Sequence, residues 1–199
     1  MFKQLRQAFL ILVILTIITG VVYPLLITAL AQVAFPRQSN GSLIERDGKT
    51  VGSVLIGQGF TDPKHLWSRP SATSPMPYNA ASSGASNLGP TNPDLMKAVQ
   101  ERIATLRAAD PGNKAPIPAD LVTTSASGLD PDISPAAAEY QLPRVARARG
   151  LSEESVRQLV AKHTKGRTVG LLGEPRVNVV ELNLDLDRVG VAPNAQSTP

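Results

Sequence analysis

The sequence contains no cysteine in 199 residues, which removes thiol catalysis, cysteine-ligated metal sites and disulfide staples together. Histidine is almost as scarce: His65 and His163 are the only two, in different segments, and neither stands in an H-E-x-x-H spacing. No serine occupies the centre of a G-x-S-x-G elbow. The tripeptide Gly48-Lys49-Thr50 imitates the end of a phosphate-binding loop, but Leu43 occupies the earlier position where that loop needs glycine. Catalysis by this chain alone is therefore not expected. Aromatic residues make up only 4%, while Gly (15) and Pro (17) are plentiful, so many loops should surround a small scaffold. With 20 Lys and Arg against 16 Asp and Glu, and no basic run interleaved with aromatics, the charge pattern argues against a nucleic-acid partner.

Charge is missing altogether from residues 7–36, which are dominated by Leu, Ile, Val, Ala and Phe. As a helix, residues 8–34 would reach about 40 Å, against about 30 Å of hydrocarbon, and in lipid only a helix satisfies the backbone of a single span. Lys3 and Arg6 precede the span and Arg37 follows it. The bias puts residues 1–7 in the cytoplasm and the chain beyond the span outside. A cleaved signal peptide is the alternative, with Ala29-Leu30-Ala31 as the small-residue site, but the apolar stretch is nearly twice the upper length of a signal core. Pro24 predicts a kink near residues 20–24, and Gly20, Thr28 and Ala31 suit close helix packing.

Beyond the span, residues 35–190 fit one extracytoplasmic domain and residues 191–199 a disordered tail. Residues 41–56 read as a β-hairpin turning at Asp47-Gly48. Residues 57–92 read as a long structured loop, ordered by Phe60, Trp67 and Tyr78. Three helices follow: Asn92-Pro93 caps the first, which runs through Ala109; Ser134-Pro135 starts a second, interrupted or kinked at Pro143; Ser152 starts a third, closed by Gly166. A strand over 176–186, with Leu182, Leu184 and Leu186 on one face and a bulge near Val179-Val180, closes the domain. The pair Asp130 and Asp132 reads as part of a solvated loop rather than a cation site. The expected architecture is α+β: one N-terminal transmembrane helix, then a small antiparallel sheet, formed by the hairpin and the last strand, packed with about three helices.

Motifs spread over most of the chain give it a family resemblance. They are GVVYPLL at 20–26, GSLI at 41–44, LIGQGF at 55–60, RPSA at 69–72, PYN at 77–79, SNLGP at 86–90, LVT at 121–123, SASGLD at 125–130, ISP at 133–135, PRVA at 143–146 and VNVVELNL at 177–184. With these the chain resembles the KdpC family, single-span subunits of the bacterial Kdp potassium-transporting ATPase complex. Ala85 departs from the second glycine common in that family before Ser-Asn.

The resemblance implies an accessory subunit in the plasma membrane. Its partners would be a channel-like K⁺-binding subunit, a P-type ATPase subunit and a small single-span subunit. It also implies a role as catalytic chaperone, raising the ATP affinity of the ATPase subunit through transient contact, with Gln58 as the one nucleotide candidate and no firmly bound cofactor. Partner-contact candidates are Gly20, Tyr23 and Pro24 in the span, and Phe60, Trp67, Arg69, Pro70, Tyr78, Asn79, Ser86 and Asn87 in the loop. A reading of another class is a membrane-anchored binding or adhesion module without a transport partner.

Overall fold

The computed structural model describes residues 1–189. They fall into two compact units, Met1–Ser53 and the chain from Val54 onward.

The first unit begins with a helical run, Phe2–Ala34, of 33 residues, long and apolar enough to cross a membrane. It comprises α1 (Phe2–Ile17), a π-helical turn (Ile18–Val22) and α2 (Tyr23–Ala34). The turn sits just ahead of Pro24, whose ring nitrogen cannot donate to the carbonyl four residues back; widening the helix absorbs that loss. Thr19 Oγ1 donates to Leu15 O at 2.7 Å beside it. Where a kink was expected near residues 20–24, the structure has a π-helical turn at Ile18–Val22. Helix α1 already includes Lys3 and Arg6. After α3 (Pro36–Ser39), strands β1 (Leu43–Arg46) and β2 (Lys49–Ser53) pair antiparallel. Their turn places Asp47 and Gly48 at φ 52° and 72°, the left-handed pair that a two-residue hairpin requires. A bulge falls between Ile44 and Glu45.

The second unit contains α4 (Pro93–Ala109), a 3₁₀ turn (Ala119–Leu121), β3 (Asp132–Ile133), α5 (Pro135–Arg149), α6 (Glu153–Lys162), β4 (Thr164–Lys165), β5 (Arg176–Asn178) and α7 (Val179–Val189). The three expected helix starts are all capped as the sequence indicated: Asn92 accepts from Asp94 N, Ser134 from Ala137 N and Ser152 from Ser155 N. Helix α5 runs on through Pro143 without interruption. The third helix ends at Lys162, ahead of Gly166.

Two expectations are corrected. The hairpin does not share a sheet with the last strand: β1 and β2 form one sheet, and a separate three-stranded antiparallel sheet has the order β3-β5-β4. The strand predicted over 176–186 stops at Asn178 and becomes helix α7. Val179, Val180, Leu182, Asn183 and Leu186 are buried there, a helical stripe that the alternating leucines disguised as a strand. Asn178 Oδ1 accepts from Glu181 N at 3.0 Å and so caps the new helix. The tail expected at 191–199 lies outside the described residues.

The core gathers Leu66, Ile133, Leu142, Val145, Val156, Val177, Leu182 and Leu186, all 2% exposed or less. Helices α5 and α7 supply most of it, and α6 adds Val156 and Val160. Each such side chain contributes about 1.5–3 kcal/mol on burial. The mixed α+β architecture agrees with the class expected from the sequence pattern.

Candidate functional site

Residues 57–92 contain no helix or strand, yet they are bound to the domain at nearly every step. Asn183 on α7 accepts from Leu66 N and donates to Leu66 O, both at 2.9 Å. Gln141 on α5 accepts from Trp67 N at 2.8 Å and donates to Trp67 O at 3.1 Å. Two buried carboxamides thus take the place of a neighbouring β-strand. Arg144 donates to Pro63 O at 2.6 Å and to Gln141 Oε1 at 2.8 Å, with its guanidinium 4.5 Å from the Trp67 ring centroid. Burial lowers the Arg144 pKa to about 10, which leaves it charged at neutral pH. Arg149 reaches Lys64 O at 2.5 Å and Asp187 at 2.7 Å, and His65 Nε2 lies 2.9 Å from the same Asp187. Burial opposes ionisation of Asp187, but the hydrogen bonds from Arg149 and His65 outweigh it and lower its pKa.

Further along, the segment arches over the loop that precedes β3. Ser71 Oγ donates to Gly128 O at 2.7 Å, Gly84 N to Ser127 O at 2.9 Å and Gly57 N to Leu129 O at 2.8 Å. Arg69 pairs with Asp130 at 3.0 Å, and the Tyr78 hydroxyl donates to Arg69 O. Burial raises the Tyr78 pKa. Glycine is needed at two places beneath the arch: a Cβ at Gly57 would lie 2.5 Å from the Tyr78 ring and 2.6 Å from Asp130 O, and one at Gly128 would lie 2.5 Å from Thr73 and 2.6 Å from Gly84 O.

At the foot of the arch is a cavity of about 450 Å³ lined by Arg69, Asp120, Asp130, Asp132, Glu174 and Arg176 among others. Its carboxylates are engaged: Asp120 accepts from Ser134 N and Oγ, Asp130 pairs with Arg69, Asp132 with Arg176 at 3.0 Å and Glu174 with Arg167 at 2.8 Å. Burial, then the charge on Asp130, raises the Asp132 pKa. Among the described residues, no group of three or more His, Cys, Asp or Glu side chains is arranged to hold a metal ion. The other histidine, His163, lies 2.9 Å from Asp185, which also binds Lys162 at 2.8 Å.

A family model described as "KdpC: K+-transporting ATPase, c chain" matches residues 5–188. The chain belongs to the KdpC family. Among its relatives, the "Potassium-transporting ATPase KdpC subunit" of Polaromonas naphthalenivorans (strain CJ2) is 66% identical over 92% of this chain and 93% of that protein. Proteins of the same name from Dechloromonas aromatica (strain RCB) and Sorangium cellulosum (strain So ce56) are 63% and 62% identical, over 93% and 94% of this chain and 97% and 98% of their own lengths. The KdpC match therefore takes in both the membrane-length helix and the folded domain.

The sequence-nominated residues separate into three groups. Gly20, Tyr23 and Pro24 lie on the exposed surface of the long helix. Phe60 and Trp67 pack against the core, Pro70 is half-buried, and Arg69, Tyr78 and Asn79 brace the arch from within, Asn79 Nδ2 donating to Ser74 O at 2.9 Å. Ser86 and Asn87 are exposed, Ser86 Oγ 3.3 Å from Thr124 Oγ1. Gln58 is half-buried, its carbonyl taken by Ser68 Oγ at 2.9 Å, and it does not line the 450 Å³ cavity. Sequence reasoning missed Gln141, Arg144, Arg149 and Asn183, the residues that hold the segment down. An uncharged amide set between leucines, as in Leu182-Asn183-Leu184, was the available signal.

Proposed function

We propose that this chain is the non-catalytic accessory subunit of an ATP-driven K⁺ import complex in the bacterial plasma membrane. In this reading the helix packs beside a channel-like K⁺-binding subunit, a P-type ATPase subunit and a small single-span subunit. The domain covers the K⁺ entry from outside. The observation that carries it is the family match over residues 5–188, embracing anchor and domain alike. The engaged state of both histidines and of the cavity carboxylates supports it, since such a domain offers contact groups rather than reacting ones.

Orientation follows from Lys3 and Arg6 ahead of the helix and the single Arg37 behind it. With the N-terminal cations inside, domain and cytoplasmic ATP stand on opposite sides of the bilayer. The catalytic-chaperone role would need the reverse insertion, and a clamp on the complex fits the charges better.

Replacing the full chain by residues 1–53 in cells that depend on this transport system tests the reading. High-affinity K⁺ uptake should be lost, and the channel-like and ATPase subunits should no longer copurify in mild detergent. Unchanged uptake refutes the clamp.

A further inference from the structure

Between β4 and β5 the chain makes a small closed tip whose apolar residues face outward. Thr168 and Leu172 form a bridge, Thr168 N donating to Leu172 O at 2.8 Å, while Gly170 N, Leu171 N and Leu172 N donate back to Arg167 O, Thr168 O and Thr168 O at 3.0–3.2 Å. Arg167 grips both carboxylate oxygens of Glu174 at 2.8 Å and closes the base. Above that base Val169 is 83% exposed, Leu171 80% and Leu172 65%. No charged residue stands between Arg167 and Glu174.

The turn is built at a cost that only its side chains explain. Val169 has φ 48°, a left-handed conformation that a β-branched residue rarely adopts and that Gly or Asn would take freely. A turn selected for its backbone alone would not place valine there. Strain at such a position points to what the side chain must touch.

We propose that this tip is a second membrane contact, entering the boundary between headgroups and acyl chains of the bilayer that the chain's own long helix is built to cross. Four features favour lipid. Three aliphatic side chains are few beside the roughly 20–30 residues that each side of a stable protein interface uses, whereas insertion into lipid needs apolar area and no matched shape. Most of the tip's backbone donors are paired within it, as a low-dielectric surrounding demands. Lys165, Arg167 and Arg176 flank it, their side chains 42–52% exposed and each paired with one carboxylate, Glu181, Glu174 and Asp132, so its margin carries no excess negative charge to repel anionic headgroups. Finally, the anchor helix in the same chain keeps lipid at high effective concentration, so a contact too weak to bind a free domain still engages.

The proposal needs only the membrane-crossing helix, not the transport role. Because the sequence has no cysteine, Leu171→Cys in the full chain carries a polarity-sensitive NBD label at one site, and Lys97→Cys on the exposed face of α4 serves as control. In vesicles of phosphatidylethanolamine and phosphatidylglycerol holding this chain alone, the Leu171 label should emit to the blue of the Lys97 label. Doxyl lipids should quench it severalfold more strongly, and Val169→Cys should behave alike. Equal, water-like emission at both sites overturns the proposal. So does shielding that develops only when the other subunits are added, which would make the partner a protein. Unchanged Trp67 fluorescence verifies that the labelled chains are folded.

Discussion

Asp185 and Asp187, two residues apart on α7, hold the only two histidines of the chain. Residues that a sequence reader would set aside as reactive groups are spent on fastening: His65 ties residues 57–92 to α7, and His163 ties the end of α6 to it. Hydrogen bonds from Lys162 and then His163 lower the Asp185 pKa to about 2. A depressed carboxylate stabilises the fold fully above its unfolded value near about 3.9 and progressively less as pH falls through the folded value. Asp185→Asn should therefore be less stable than the parent at pH 5, by about 1 kcal/mol once solvent screening is allowed for. The gap should close between about pH 4 and pH 2. Denaturant titrations of both full chains in detergent, followed at Trp67, would show it; a gap that persists at pH 2 contradicts the assignment.

At the scale of elements, the helices α4, α5 and α6 were legible because each opens on a residue, Asn92, Ser134 or Ser152, whose side chain competes with the backbone inside a helix but serves its first free N–H groups at the cap. The hairpin was legible for the related reason that Asp47-Gly48 tolerates left-handed backbone. Helix α7 was misread because Leu182, Leu184 and Leu186 alternate, while the evidence for a helix was polar: Asn178 as cap and Asn183 on the buried face. The binding of residues 57–92 was beyond reach for a different reason. Its partners are distant in sequence, Leu66 meeting Asn183 and Trp67 meeting Gln141, and no local pattern encodes them. Asn183→Ala would strand both Leu66 N–H and C=O without partners in the core, at a cost of about 3 kcal/mol. Trp67, the single tryptophan, should report unfolding at clearly lower denaturant. A variant that loses less than about 0.5 kcal/mol, the range of an ordinary surface change, would show that the carboxamide is not what holds this stretch.

At the scale of the whole molecule, the sequence announced a membrane-length helix and an α+β domain, but not the division of labour within the domain. Several residues nominated as partner contacts, Trp67, Arg69 and Tyr78 among them, have internal partners, while Ser86 and Asn87 remain at the surface. Asn87→Cys consequently gives a direct test of topology. In intact cells a membrane-impermeant maleimide should label it from outside, and labelling only after lysis would reverse the proposed orientation.

The pairing of Leu66 and Trp67 with side chains instead of with a strand carries a last consequence. Extended backbone with free donors and acceptors is a template on which foreign chains can add as strands. Here the carboxamides of Asn183 and Gln141 occupy those groups, so the segment does not invite edge-to-edge association. Removing either amide would expose a site for misassembly as well as loosen the fold.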